Sequence, residues 1–254
     1  MPIVYLLIAF IATCLGTLAG LGGGVIIKPA LDTLGGYDVF VIGVLSSATV
    51  LSMSMVSTAR RIIGGVRIDK ILMVLAIGGI AGGCIGKQIF QYFMIHITPE
   101  RLIGLQAVMI IALLQIALFK NRLPHWQIDN LFLVLLMGVL LGTLASFLGI
   151  GGGPINVAVL CMFFAMDIKE AAAGSIFIIL CSQASKLIAM ALTTGFGPYD
   201  YSILFYMIPA GVAGGILGPI LKNRLSHRII EVIFKVVVIA IIVLNVYNIV
   251  HLNT

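Results

Sequence analysis

The chain has 254 residues, of which 61% are hydrophobic and only 9% charged, and its mean hydropathy is +1.21. So little polar surface cannot coat a water-soluble globule, which leaves an integral membrane protein whose constant partner is the lipid bilayer. The net charge of +6 does not imply a polyanion, because basic residues flanking apolar spans are ordinary topology signals, and nucleic acid is not expected as a partner.

In chain order, the first element is an apolar stretch from Ile3 to Leu34, cut by Gly22-Gly23-Gly24. It has no basic n-region and no clear cleavage site, so it does not read as a removable signal peptide. Three uninterrupted apolar runs follow, over 39–59, 71–93 and 102–119, each close to the roughly 20 residues that cross a hydrocarbon core. A basic linker over 121–130 leads to a second glycine-cut stretch, 131–166, interrupted by Gly151-Gly152-Gly153, and then to runs over 171–192, 203–221 and 229–250. Strand-like alternation is absent, so the expected fold is all-α and polytopic rather than a barrel.

The second half repeats the first. Leu15-Gly16-Thr17-Leu18-Ala19 returns as Leu141-Gly142-Thr143-Leu144-Ala145, and Ala81-Gly82-Gly83 returns as Ala213-Gly214-Gly215. Residues 1–120 and 131–254 are therefore expected to be two copies of one unit, each a glycine-broken hairpin plus three transmembrane helices. Charge arbitrates their orientation. If both broken segments fully cross, the loop lysines and arginines divide six against seven. If both are re-entrant, Arg60, Arg61, Arg67, Lys70, Lys120, Arg122, Lys169, Lys222, Arg224 and Arg228 share one side against Lys28, Lys87 and Arg101 on the other. The positive-inside rule selects the second arrangement: inverted repeats with both termini outside the cytoplasm.

A glycine run leaves backbone N–H and C=O groups that hydrocarbon does not tolerate, so each tip must be buried in protein or line a polar cavity. Broken apolar segments at matching places in two halves point to the binding site of a secondary transporter. The arms after each break start helices, and Pro154 suits a first helical position, so two helix N-termini would favour a small anion. Close packing is the alternative role of membrane glycines, and it is assigned to Gly78, Gly79, Gly82, Gly83 and Gly86; Gly82 as a packing glycine is expected to accept one methyl group better than a tip glycine accepts a valine.

Leu18-Ala19-Gly20-Leu21-Gly22-Gly23-Gly24 and Leu148-Gly149-Ile150-Gly151-Gly152-Gly153-Pro154, set in a duplicated polytopic chain, resemble the sulfite exporter TauE/SafE family of membrane permeases. The resemblance covers essentially the whole chain. It implies a transporter of the cytoplasmic membrane that moves sulfite, sulfoacetate or a related small sulfur-containing anion, usually outward. It also implies binding-site roles for Gly22, Gly23, Gly24, Gly151, Gly152 and Gly153.

Polar residues inside the spans extend that candidate site. Ser47, Ser54 and Thr58 share one helical face, and Ser175, Ser182 and Lys186 repeat the same spacing in the second half. Their hydroxyls are candidate donors to sulfonate or sulfite oxygens, or else bond their own helices and glue neighbours together. Lys186, next to Gln183, is a candidate counter-charge whose alternative is snorkelling to the interface, and snorkelling is the preferred reading of Lys28. Asn156 is placed to donate from its amide, while Arg60 and Arg61 read as topology anchors. The acidic residues and histidines fall at loops or span ends apart from Glu231, for which a helix-face pair with Lys235 is expected. No acid/base or metal cluster is visible, so a membrane enzyme ranks below an anion channel as an alternative to a carrier. The cysteines lack metal-like spacing, and neither cofactor nor metal is expected; a proton is the candidate coupling ion and a homodimer the candidate assembly.

Overall fold

A computed structural model describes residues 2–65, 68–119 and 127–251, so Arg67, Lys120, Arg122 and most of the 121–130 linker lie outside the described residues. Ten helices account for nearly all of it: α1 (Pro2–Ala19), α2 (Gly24–Leu34), α3 (Val39–Ile63), α4 (Lys70–His96), α5 (Pro99–Leu118), α6 (Leu131–Leu148), α7 (Gly153–Phe163), α8 (Ile168–Thr193), α9 (Leu204–Arg224) and α10 (His227–His251). Eight of them, all but α2 and α7, are long and apolar enough to cross a membrane. Most of the uninterrupted spans extend a few residues beyond their apolar runs, because polar ends can continue a helix into the interface. Asp69, Asn130 and Asp167 mark three of the starts, each accepting from a backbone N–H of the first turn.

Helices α1 and α6 do not lead onward through the molecule. Each is followed by a glycine turn and an 11-residue helix that doubles back. Tyr5 at the start of α1 packs edge-on against Tyr37 just beyond α2, with ring centres 5.9 Å apart. At the other break Ile128, before α6, donates its N–H to the Phe163 carbonyl at the end of α7. Both segments are thus folded-back hairpins whose two ends lie at one level.

The long arms of the hairpins are exchanged between the halves, whereas the short arms α2 and α7 pack chiefly on α3 and α8 of their own halves. Helix α6 runs alongside α4 in the same sense: Gly78 lies over Leu135, Gly82 over Val139 and Gly86 over Thr143, all backbone to backbone. Helix α1 runs alongside α9 in the same way, with Gly214 against Thr13 and Gly218 against Thr17. Thr17 donates to the Gly214 carbonyl at 3.0 Å, and Ser146 to the Gly83 carbonyl at 2.8 Å. Where helices share an apolar solvent with lipid, close approach and interhelical hydrogen bonds carry the association. Gly79 and Gly83 face α8 instead, so α4 holds one neighbour on each of two glycine stripes. One expectation is corrected here. A methyl at Gly82 would run into the Val139 carbonyl and the Thr143 nitrogen, backbone atoms that cannot move aside, so Gly82→Ala is not a mild change.

Helices α3 and α8 cross in opposite senses. Ser47 in the first half of α3 meets Lys186 in the second half of α8, whereas Ser57 and Thr58, towards the end of α3, share a cavity with Ala173 and Ile176 near the start of α8. Outside this pair, α5 and α10 pack on each other and against α7 and α2 respectively. Their outer faces carry exposed apolar side chains such as Val108, Ile116, Val236 and Val243, a surface suited to lipid.

Candidate functional site

The two glycine breaks share one pattern of φ, although ψ differs between the matched Gly23 and Gly152, at −37° and 6°. Gly20, Gly22 and Gly23 take φ of 76°, 79° and 69°, and Gly149, Gly151 and Gly152 take 68°, 78° and 73°. Left-handed values at three of four positions let a helix end, reverse and restart within one turn, and any other L-residue there would be strained. The turns are partly self-satisfied: Gly22 donates to the Gly16 carbonyl, Ile26 and Ile27 both donate to Gly23, and Asn156 N–H donates to Gly152.

The tips meet each other. A Cβ added at Gly24 would strike the Ile150 carbonyl, and one added at Gly153 would strike the Leu21 carbonyl, so each tip abuts the other's backbone in the same manner. Ser175 ties the joint, its hydroxyl donating to Gly20 O at 2.7 Å and, more weakly, to Gly153 O at 3.3 Å. Ile179 of α8 lies against Gly22 and Gly151, and Val50 of α3 lies against Gly151, so the tips are wedged between the two oppositely running helices.

The remaining expected residues divide by what they touch. Lys186 and Ser47 come together, the ammonium donating to the hydroxyl at 2.9 Å, with both side chains buried. Lys186 has no carboxylate within 4.0 Å among the described residues and does not reach solvent, being only 4% exposed. Ser54 and Ser182 donate to carbonyls of their own helices, Leu51 and Ile179. Asn156 is buried on α7, its Oδ1 3.4 Å from where a Cβ on Gly152 would lie, and neither amide atom has a protein partner. Glu231 and Lys235 form the expected i, i+4 pair at 2.9 Å.

Three features were not legible in the sequence. Lys28 does not snorkel: it is 2% exposed, pairs with the buried Asp32 at 3.1 Å, and its chain lies 3.6 Å from a Cβ placed on Gly149. Its position one turn after a tip turns it inward, and Asp32 at i+4 compensates its charge, which a count of loop charges cannot reveal. Gln183 is fully buried with both amide atoms unpartnered. Arg60 and Arg61 do more than end a span. With Lys169, Lys222 and Glu170 they line a cavity of about 430 Å³ between α3, α8 and α9, whose inner wall is Ser57, Thr58, Ala173 and Ile176. Ile176 in its wall is the residue after Ser175, whose hydroxyl bonds the tip joint.

Eight membrane-length apolar helices around a buried polar break define a multi-pass membrane protein with an internal polar site. Its particular kind follows from comparison with known proteins. The profile of the sulfite exporter TauE/SafE family matches residues 5–244, and the chain belongs to that family of membrane transport proteins, not to an enzyme family. A probable membrane transporter protein of Methanocaldococcus jannaschii is 28% identical over 211 residues, covering 80% of this chain and 77% of that protein. No solved structure matches the chain.

Proposed function

We propose that the protein is a secondary transporter that exports a small anion, sulfite or a small organosulfur anion such as sulfoacetate, across the cell membrane by alternating access. On this reading residues 1–120 and 131–254 are inverted repeats joined by the 121–130 linker, and their hairpins enter from opposite faces. The opposed directions of α3 and α8, equivalent elements of the two halves, support the inversion. The ends of α3 and α9 and the start of α8 then lie on the basic, cytoplasmic side, and the Arg60–Arg61 cavity is the vestibule through which an anion reaches the tips.

The observation that carries the proposal is the tip joint itself: two hairpins in reciprocal contact, wedged between α3 and α8, whose buried Ser47 and Lys186 are hydrogen-bonded to each other. Inverted elements meeting around one site are a device for exposing that site to each face in turn. Gly22, Gly23, Gly24, Gly151, Gly152 and Gly153 form the wall, Asn156 and Ser47 supply hydrogen bonds, and Lys186 supplies charge. Ser175 fastens the tips, while Ser54 and Ser182 stay on their own helices until the tips part. Counterflow in liposomes tests this. A carrier loaded with unlabelled sulfite or sulfoacetate accelerates uptake of the labelled anion, whereas flux without acceleration refutes alternating access in favour of a channel. An inward proton gradient should raise export if the proton is the coupling ion.

A further inference from the structure

We infer that the Arg60–Arg61 cavity also holds a phosphodiester, that of an anionic phospholipid whose acyl chains lie along the outer face of α9. The site stands whatever the cargo is; only its assignment to the cytoplasmic leaflet rests on the orientation proposed above. Arg60 and Arg61 lie in the last turn of α3, Lys222 lies in the last turn of α9, and Lys169 is the second residue of α8. Ends of membrane-length helices mark the membrane–water interface, so these four basic side chains sit at the depth of lipid head groups. None of the four is in an ion pair within 4.0 Å among the described residues. Their bonds to protein are long: Arg60 Nη1 donates to the Ile216 carbonyl at 3.5 Å and Lys222 Nζ to the Lys169 carbonyl at 3.4 Å. Against them the cavity wall sets one carboxylate, Glu170. The neighbouring Asp167 is taken up in capping α8 and faces His227 at 3.7 Å.

The inner wall is prepared in the same sense. Thr49, Ser52 and Ser54, earlier on α3, each donate to a carbonyl of their own helix, the usual fate of a hydroxyl in an apolar span. Ser57 and Thr58, also buried, donate to no carbonyl among the described residues and line the cavity instead. A phosphate seated there meets hydroxyls behind it and two guanidinium groups at the rim, and a guanidinium fork matches phosphate oxygens two at a time and stays charged. The border of the cavity names the source of the phosphate. Ile62 and Ile63 of α3 and Leu217, Ile220 and Leu221 of α9 are exposed, and Ile220 is also part of the cavity wall. A soluble phosphate gains nothing from that apolar border. A phospholipid lays its chains on it while the head group reaches the basic residues, as basic recesses between membrane helices allow. The volume of about 430 Å³ leaves room for more of a head group than a lone tetrahedral anion.

Phosphatidylglycerol and phosphatidylcholine share the phosphodiester and the chains and differ by one head-group charge. Native mass spectrometry of the full chain in detergent, titrated with each, should show phosphatidylglycerol bound at least about tenfold more tightly, since each basic residue near an anionic head group is worth roughly fivefold. Equal retention of the two lipids overturns the inference. Arg61→Gln should weaken phosphatidylglycerol about fivefold, whereas Arg228→Gln, which removes a basic residue outside the cavity wall, should leave it unchanged. An undiminished affinity in Arg61→Gln, or an equal loss in Arg228→Gln, reduces the effect to general surface charge and overturns the site. If Arg61→Gln does not fold, Arg60→Gln at the exposed rim takes its place under the same two outcomes. Inorganic phosphate separates the two sources of the group: it should displace phosphatidylglycerol only at far higher concentration, and displacement at equal concentration makes this a site for free phosphate and overturns the lipid assignment. Failure of counterflow would leave this lipid preference in place, and loss of the preference would leave counterflow in place, so the two proposals fail separately.

Discussion

Gly153→Ala tests the joint between the hairpins with a single methyl group. The added Cβ would fall inside contact distance of the carbonyl oxygen, carbonyl carbon and Cα of Leu21, all of them backbone atoms of the opposing tip. No rotamer change relieves that clash, so the tips must move apart by about 1 Å to restore ordinary contact. Overpacking of this kind costs about 1–3 kcal/mol. Gly79→Ala is the matched control on α4: its nearest neighbour would be Ile178 Cγ2 at 3.6 Å, an ordinary contact. In a helix interior, alanine in place of glycine contributes up to about 1 kcal/mol of stability. Thermal unfolding of both variants in detergent should therefore diverge, with Gly153→Ala below and Gly79→Ala at or above the wild type, and counterflow should be lost or strongly reduced only in the former. A Gly153→Ala protein with wild-type stability and transport would refute the tip-to-tip contact, and an equally damaged Gly79→Ala would show that the loss is not specific to the joint.

Three other outcomes are expected. Lys186→Gln should weaken anion binding at least about tenfold while Lys235→Gln leaves it intact, because only Lys186 lacks a carboxylate partner; equal affinities in calorimetry would remove Lys186 from the site. Gly23→Val and Gly152→Val should abolish uptake into inverted vesicles, since both positions hold left-handed φ and abut α1 and α6 respectively; normal uptake, or failure only through loss of the folded protein, would end the ligand-lining role. Cysteine-accessibility labelling should place both termini outside and residue 223, in the basic cavity, on the cytoplasmic face, and the opposite labelling would overturn the orientation.

The sequence alone determined the solvent, the number and rough limits of the long helices, the duplication and the two breaks. These depend on local properties: apolar runs of membrane length, and glycine where the backbone must turn left-handed. The reciprocal φ values at Gly22–Gly23 and Gly151–Gly152 are what a repeated glycine run encodes. Ser47 and Lys186 were legible as separate candidates, because a polar group inside an apolar helix stands out wherever it points. Tertiary structure alone decided which of them meet. Ser47 and Lys186 are 139 residues apart, and only the opposed crossing of α3 and α8 brings ammonium to hydroxyl. Likewise Ser175 was legible as a candidate donor, and only the exchanged arms set the Gly20 carbonyl, 155 residues away, in front of it. The basic cavity was hidden for the same reason: Arg60, Arg61, Lys169 and Lys222 read as scattered topology signals along the chain, and they line one cavity only when the ends of α3 and α9 and the start of α8 are packed at one level. Periodicity and composition act over a turn or two of helix, whereas a binding site inside a bundle is a relation between distant helices that only their packing specifies.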